Sequence, residues 1–173
     1  MVLSAEDRER WCDLAGVSAE VVAEAGAKKR RGSFREKMLV THRGLSGPAV
    51  LQVSSYWRPG EAVTMDLAPE VEVMAPLLER NARRDAAAAV AALRAVLPGR
   101  MAERWVALHE PADWTNASLA KMEQQLHAWA MTPAGTEGYA KAEVTAGGVD
   151  TDELDAKTMQ SRKVPGLYFI GEV

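Results

Sequence analysis

Between Ala5 and Ala15, the residues Trp11, Leu14 and Ala15 fall at helical spacing, and Gly16, a residue common just past a helix end, follows them. The pattern predicts a short N-terminal helix. From Val21 to Thr41 it changes: Val21-Val22, a turn-like stretch from Gly26 to Gly32, then Phe34 and Met38-Leu39-Val40 predict two strands joined by a basic turn. Ala49 to Val53, behind Gly47-Pro48, suits either a buried strand or the start of a helix. Proline favours a first helical turn, and periodicity alone does not separate the two readings. Arg58 to Glu61 reads as a turn, and Ala62 to Leu67 as a further strand.

After Pro69 helix formers dominate, and prolines divide the stretch through Met131 into three or four helices. One runs from Asp85 to Leu97 and stops at Pro98-Gly99. The next carries Met101, Trp105 and Leu108 on one face and stops at Pro111. In the last, Leu119, Met122, Leu126 and Trp129 repeat at helical spacing behind candidate caps Asn116 and Ser118. Trp105 and Trp129 read as core residues. From Gly138 β character returns in Tyr139 to Val144, and Leu167 to Ile170 reads as a near-continuous apolar strand of the kind buried in parallel sheets. The chain offers that strand no obvious parallel partner, and Gly171-Glu172-Val173 follow with no helix or cap. The strand is therefore expected to complete a sheet that lies outside the chain.

Composition narrows the class. The 173 residues are 47% hydrophobic and 26% charged, as in a soluble globular protein of one domain or two small ones. The longest apolar runs, such as Ala86 to Leu93, are alanine-dominated and fall short of the ~20 residues of a membrane span. Met1 to Arg8 lacks a basic region followed by an apolar one, so a cytoplasmic location with no membrane partner is expected. Cys12 stands alone and reads as a small packing residue. A net charge of −3, with both signs interspersed, argues against a broad nucleic-acid-binding surface, and no nucleic-acid partner is expected.

Isolated motifs carry little chemistry. Gly44-Leu45-Ser46-Gly47-Pro48 misses the nucleophile elbow by its last glycine, and His42 as base for Ser46 would have no nameable acid partner. His42, His109 and His127 are scattered, and His109-Glu110 lacks a second histidine, so no metal is expected. Lys28-Lys29-Arg30-Arg31 reads as a solvated turn that discourages edge pairing. The phosphate-cradling glycine loops of dinucleotide and nucleotide sites do not occur.

Three blocks are more specific, and they occur in a fixed order. They are Thr41-His42-Arg43-Gly44-Leu45-Ser46-Gly47-Pro48 continuing to Ser54-Ser55-Tyr56-Trp57, then Thr145-Ala146-Gly147-Gly148-Val149, then Pro165-Gly166-Leu167-Tyr168-Phe169-Ile170-Gly171-Glu172. Together they resemble the BaiN/YhiN-like NAD(P)/FAD-dependent flavoproteins of bacteria, over nearly the whole chain. The resemblance implies an α+β fold: a small β-barrel subdomain (1–68 and 132–149), an inserted helical bundle (69–131), and a return segment (150–173). The strand of that return segment would belong to an FAD-binding domain missing from the chain.

The resemblance also implies roles. Gly147 and Gly148 would mark re-entry to the flavin domain. Gly171-Glu172 would begin a flavin-contacting segment, with the Glu172 carboxylate accepting hydrogen bonds from ribityl hydroxyls. Thr41, His42, Arg43 and Ser46 would face the isoalloxazine or the substrate; no residue is implied as catalytic. The parent would transfer hydride between NAD(P)H, flavin and a small organic substrate, with its own FAD-binding domain as this chain's partner. Without the N-terminal glycine-rich FAD fingerprint, the chain alone is expected neither to retain FAD nor to be active. The rival reading is a stand-alone interaction or ligand-binding module, and a third is a serine hydrolase using Ser46. A severed piece should expose the apolar face of Leu167 to Ile170, whereas a self-contained module should not.

Overall fold

The computed structural model describes residues 1–26, 30–142 and 147–171. Helix α1 (Ala5–Trp11) starts at Ser4, whose hydroxyl accepts from the Asp7 amide at 3.1 Å and so satisfies one unpaired donor of the first turn. A 3-10 turn (Cys12–Leu14) continues it and carries Leu14 into the core beside Trp11. The expected hairpin forms from β1 (Ser18–Ala25) and β2 (Gly32–Val40), in register from Ser18 opposite Leu39 to Ala25 opposite Gly32. Along β1, Ala19, Val21, Ala23 and Ala25 point inward.

Those inward residues are small, which leaves room for a helix against the sheet. After β3 (Leu45–Ser46), helix α2 (Pro48–Ser54) packs on β1 and β2 with Ala49, Val50 and Val53 buried. The strand-or-helix alternative at Ala49 to Val53 thus resolves to helix. Gly47 makes the switch possible: its φ is +90°, and a Cβ there would stand 2.7 Å from the Lys37 carbonyl oxygen. Strand β4 (Val63–Asp66) pairs with β1, and β5 (Trp129–Met131) with β4. The sheet is antiparallel in the order β3-β2-β1-β4-β5.

Its two edges are joined by the start of the chain. Val2 bridges Gly44, just before β3, and Gly135, beyond β5. On one side Met1 and Leu45 exchange hydrogen bonds of 2.7 and 3.0 Å, and the Leu3 amide donates to Arg43 O at 3.0 Å. On the other, the Val2 amide donates to Gly135 O and the Ala134 amide to Val2 O, both at 2.8 Å. Pairing of this kind removes open edges.

Four helices follow β4: α3 (Ala75–Leu78), α4 (Ala86–Leu93), α5 (Gly99–His109) and α6 (Asn116–His127). Helix α4 is capped by Asp85, whose carboxylate accepts from the Ala88 amide at 2.9 Å. Helix α6 is capped by Thr115, with Asn116 already its first residue, because Thr115 Oγ1 accepts from the Ser118 amide at 3.3 Å. The α5 stripe differs as well. It buries Met101, Ala102, Trp105 and Val106, and leaves Leu108 40% exposed.

Trp129, expected on the last helical face, lies instead in β5. At Ala128 the backbone (φ −134°, ψ 42°) ends the helix, and the open edge of β4 pairs with the residues that follow. The Trp129 indole lies tilted at 60° against that of Trp11, 4.8 Å between centroids, and meets Trp105 edge-on at 6.1 Å, locking α1, α5 and β5 together. One hydrophobic core runs from Leu3 to Met131 through sheet and helices alike.

Two expected strands are not formed. Tyr139–Lys141 is a 3-10 turn, with Glu143 to Ala146 outside the described residues. Leu167 to Ile170 makes a single bridge, Gln160 to Tyr168, in a small ribbon whose hydrogen bonds are all internal to residues 147–171. Among the described residues no neighbouring strand covers it, and Tyr168 is 57% and Ile170 83% exposed.

The clasp predicts its own test. A Cβ on Gly44 would lie 2.3 Å from Met1 O and 2.9 Å from Leu3 N, both backbone atoms. Gly44→Ala is expected to destabilise the chain by about 1–3 kcal/mol. Gly135→Ala, on the far side of the clasp where a Cβ meets nothing within 4 Å, should change little. Equal melting midpoints for the two variants would refute the tight clasp.

Candidate functional site

A cleft of about 600 Å³ opens between the Thr41–Ser46 loop, helix α2 and residues 136–142. Its walls are set by the glycine-rich block. Thr41 Oγ1 accepts from the Gly44 amide at 3.1 Å and from the Arg43 amide at 3.4 Å, and donates to Gly44 O at 3.1 Å. The threonine is therefore used in shaping a tight turn, with His42 and Arg43 exposed at its tip. Gly44 admits the N-terminal clasp, Leu45 is buried, Gly47 supplies a positive φ and Pro48 starts α2. Structural work thus accounts for Thr41, Gly44, Leu45, Gly47 and Pro48. His42, Arg43 and Ser46 also line the cleft.

Arg43 donates to Glu137 across the cleft at 2.9 Å, joining the loop to the segment after β5. Trp57 forms part of the wall, held by its Nε1 donating to Glu61 O at 2.8 Å. Among the described residues no hydrogen bond joins His42 to Ser46, so the pair lacks the nucleophile-to-base contact that acyl transfer needs. Burial pushes the Cys12 thiol above its usual range, which suits packing rather than reactivity.

Gly147, Gly148 and Gly171 do not line this cleft. Gly147 and Gly148 are exposed with φ of +112° and +88°, and Gly171 is exposed with φ +90°. A Cβ built on Gly147 or Gly171 meets nothing within 4 Å. These turns are open to an approaching group, although no side chain converges on them. Glu172, and Thr145-Ala146 of the second glycine block, lie outside the described residues. Among the described residues no three His, Cys, Asp or Glu side chains gather as metal ligands. No helix among them is long and apolar enough to cross a membrane.

Sequence reasoning missed one ionic cluster. On α6, His127 Nδ1 meets Asp66 Oδ1 at 2.8 Å and Nε2 meets Glu123 Oε1 at 2.9 Å. Glu123 in turn accepts from the Val73 and Met74 amides at 2.9 and 2.6 Å, and Asp66 from the Ala68 amide at 2.9 Å. The histidine and Glu123 sit four residues apart on one helix, which was the one available signal; Asp66 arrives only through the fold. With its oxygens occupied by backbone amides, the cluster ties α6 to the end of β4 and to the turn before α3.

A curled antiparallel sheet with clasped edges, backed by a short helix and continued by a helical layer around the same core, defines a barrel-and-helix module. Residues 2–144 match the HI0933-like protein barrel and H2TH domain, and the chain belongs to that family, which is associated with flavoproteins. It is 48% identical over 167 residues to the ribosomal RNA dihydrouridine synthase of Escherichia coli (strain K12), covering 92% of this chain and 40% of that protein. The protein of the same name from Haemophilus influenzae (strain Rd) is 42% identical over 165 residues, with the same coverage of 92% and 40%. A 3-dehydro-bile acid delta(4,6)-reductase of Clostridium scindens is 29% identical over 157 residues, covering 79% of this chain and 37% of that protein. The chain thus spans about 40% of the length of the first two curated relatives.

The ionic cluster has a pH signature. Partial burial opposes charge on His127, but the hydrogen bonds to Asp66 and Glu123, together with their charges, outweigh it and hold the imidazolium above its usual range. A raised folded value means the stabilisation is complete below the unfolded pKa of about 6.5 and is lost as pH rises through the folded value. The melting midpoint is expected to fall as pH is raised through that window, and His127→Gln should remove this component. An identical pH profile for the variant would refute the assignment.

Proposed function

We propose that the chain is the barrel-and-helix portion of a flavin-dependent oxidoreductase that transfers hydride from NAD(P)H through flavin to a conjugated carbon–carbon double bond held at the His42–Arg43–Ser46 cleft. One observation carries the reading: an exposed apolar segment, with Tyr168 57% and Ile170 83% accessible, runs directly into Gly171. Exposure of contiguous large apolar side chains marks a surface that another body covers. The coverage of about 40% of the relatives' length supplies sequence enough for that body. The flavoprotein association of the family and the reductase name of one relative support redox chemistry.

The described residues fit one wall of a flavin site and not a whole one. The cleft is open, and the turns at Gly147 and Gly171 have room for a close approach, but no glycine loop here cradles a pyrophosphate. When bound, flavin supplies the hydride. This chain's residues then have simpler tasks: Trp57 and α2 exclude water from one side, and His42 and Ser46 offer donors to a carbonyl of the substrate. Arg43, held by Glu137, fixes the separation of the two walls.

For the substrate we infer a uridine of ribosomal RNA, the class named for the two relatives at 48% and 42% identity. Dihydrouridine is uridine with one ring double bond reduced, which takes one hydride and one proton. The expectation of no nucleic-acid partner rested on net charge, which bears on broad basic surfaces rather than on a single cleft.

The test compares FAD titration of this chain with that of a longer product that includes the sequence encoded on both sides of it. Flavin binding and NAD(P)H oxidation by the longer protein alone are the expected result. Tight FAD binding by the 173 residues alone would overturn the reading that they are one part of the site.

A further inference from the structure

We propose that the rim of the cleft at Tyr139 and Lys141 docks single-stranded RNA, with the Tyr139 ring stacked on a base beside the reacting one and Lys141 and Arg43 facing its phosphates. This rests on the preceding inference of an RNA substrate and names what would hold the strand.

Tyr139 is 89% exposed, more than any other large hydrophobic side chain among the described residues. It stands in the 3-10 turn Tyr139–Lys141, behind Gly138, whose φ of +73° turns the chain at the cleft mouth. Both Tyr139 and Lys141 line the cleft. Among the described residues the lining contains the side-chain cations Arg43 and Lys141, the amino terminus of Met1 and His42, against one carboxylate, Glu137. Arg43 already meets that carboxylate at 2.9 Å. Arg30 reaches the same wall, where it donates to Ser55 O at 3.5 Å. The chain carries a net −3, yet the described residues of this cleft carry a positive excess.

A ring with an open face, flanked by cations, is how proteins hold single strands with little sequence preference: every base has a face to stack, and the phosphates track the charge. A strand of a few nucleotides needs only a few such cations. The competing occupant of Tyr139 is another part of the parent protein, and the test separates the two.

The experiment uses the full-length gene product and a fluorescently labelled oligouridylate of about ten nucleotides, within the site size of single-strand binders, read by anisotropy over a range of salt. Tyr139→Ala is expected to weaken binding by about five- to a hundred-fold, and Tyr139→Phe to retain it because the stacking face remains. Lys141→Gln should lower the slope of log affinity against log salt by about 0.7. Lys121→Gln, exposed on α6 away from the cleft lining, should behave as wild type.

Four results would overturn the proposal: no binding by the wild type, unchanged binding by both Tyr139→Ala and Lys141→Gln, equal losses in Tyr139→Ala and Tyr139→Phe, or loss of flavin content in Tyr139→Ala. The last would mean that the ring packs on the parent's own flavin domain. Flavin content and NAD(P)H oxidation, read on the same wild-type samples, separate the two claims. If both are normal while RNA affinity ignores Tyr139 and Lys141, only this inference falls. If both are missing, the oxidoreductase reading fails instead.

Discussion

Closure of the sheet by Val2 is the constraint on which the rest depends. A five-stranded antiparallel sheet whose outer strands are two and three residues long has weak edges, and backbone groups left unpaired there would be costly wherever water is excluded. Met1 and Leu3 pair with Arg43 and Leu45 on one side, and Val2 between them pairs with Ala134 and Gly135 on the other. The same clasp sets the distance between the Thr41–Ser46 loop and residues 136–142, which are the two walls of the cleft. Closing the sheet and forming the cleft are therefore one event, reinforced across the opening by the Arg43–Glu137 pair.

The helical layer keeps that closed sheet in shape. Trp11, Trp105 and Trp129 meet where α1, α5 and β5 converge, and Arg104 pairs with Asp13 to tie α5 to the end of α1. His127 does the same for α6 and β4 through Asp66 and Glu123. Aromatic packing contributes most where water is excluded, while the half-exposed ion pairs add less and chiefly direct which elements meet. Against this single core, the ribbon of residues 147–171 contributes no buried side chain. Its large apolar residues Val164, Leu167, Tyr168 and Ile170 are exposed.

The glycine-rich block shows how far a motif can be read before a fold is known. Thr41, Gly44, Gly47 and Pro48 look like site residues in the sequence, but each has a backbone reason to be there: a capped turn, a close crossing, a positive φ and a helix start. His42, Arg43 and Ser46 line the cleft beside them. Tyr139 and Lys141, which share that lining, carried no motif and came beside the block through the clasp.

By itself the sequence determined the elements whose signals are local. The hairpin of β1 and β2, the N-terminal helix and the apolar spacing in α6 depend on neighbours within one or two turns, and these were legible, as was the α+β class, whereas the helix behind Pro48 was left open against a strand. Trp129 as a strand residue, Leu108 as an exposed one and the Asp66–His127–Glu123 cluster were decided by tertiary structure, because each depends on which element lies opposite. The apolar run Leu167 to Ile170 marks the same boundary from the other side. Its composition is that of a buried strand, but strand burial is a property of the partner sheet, and no partner is found among the described residues.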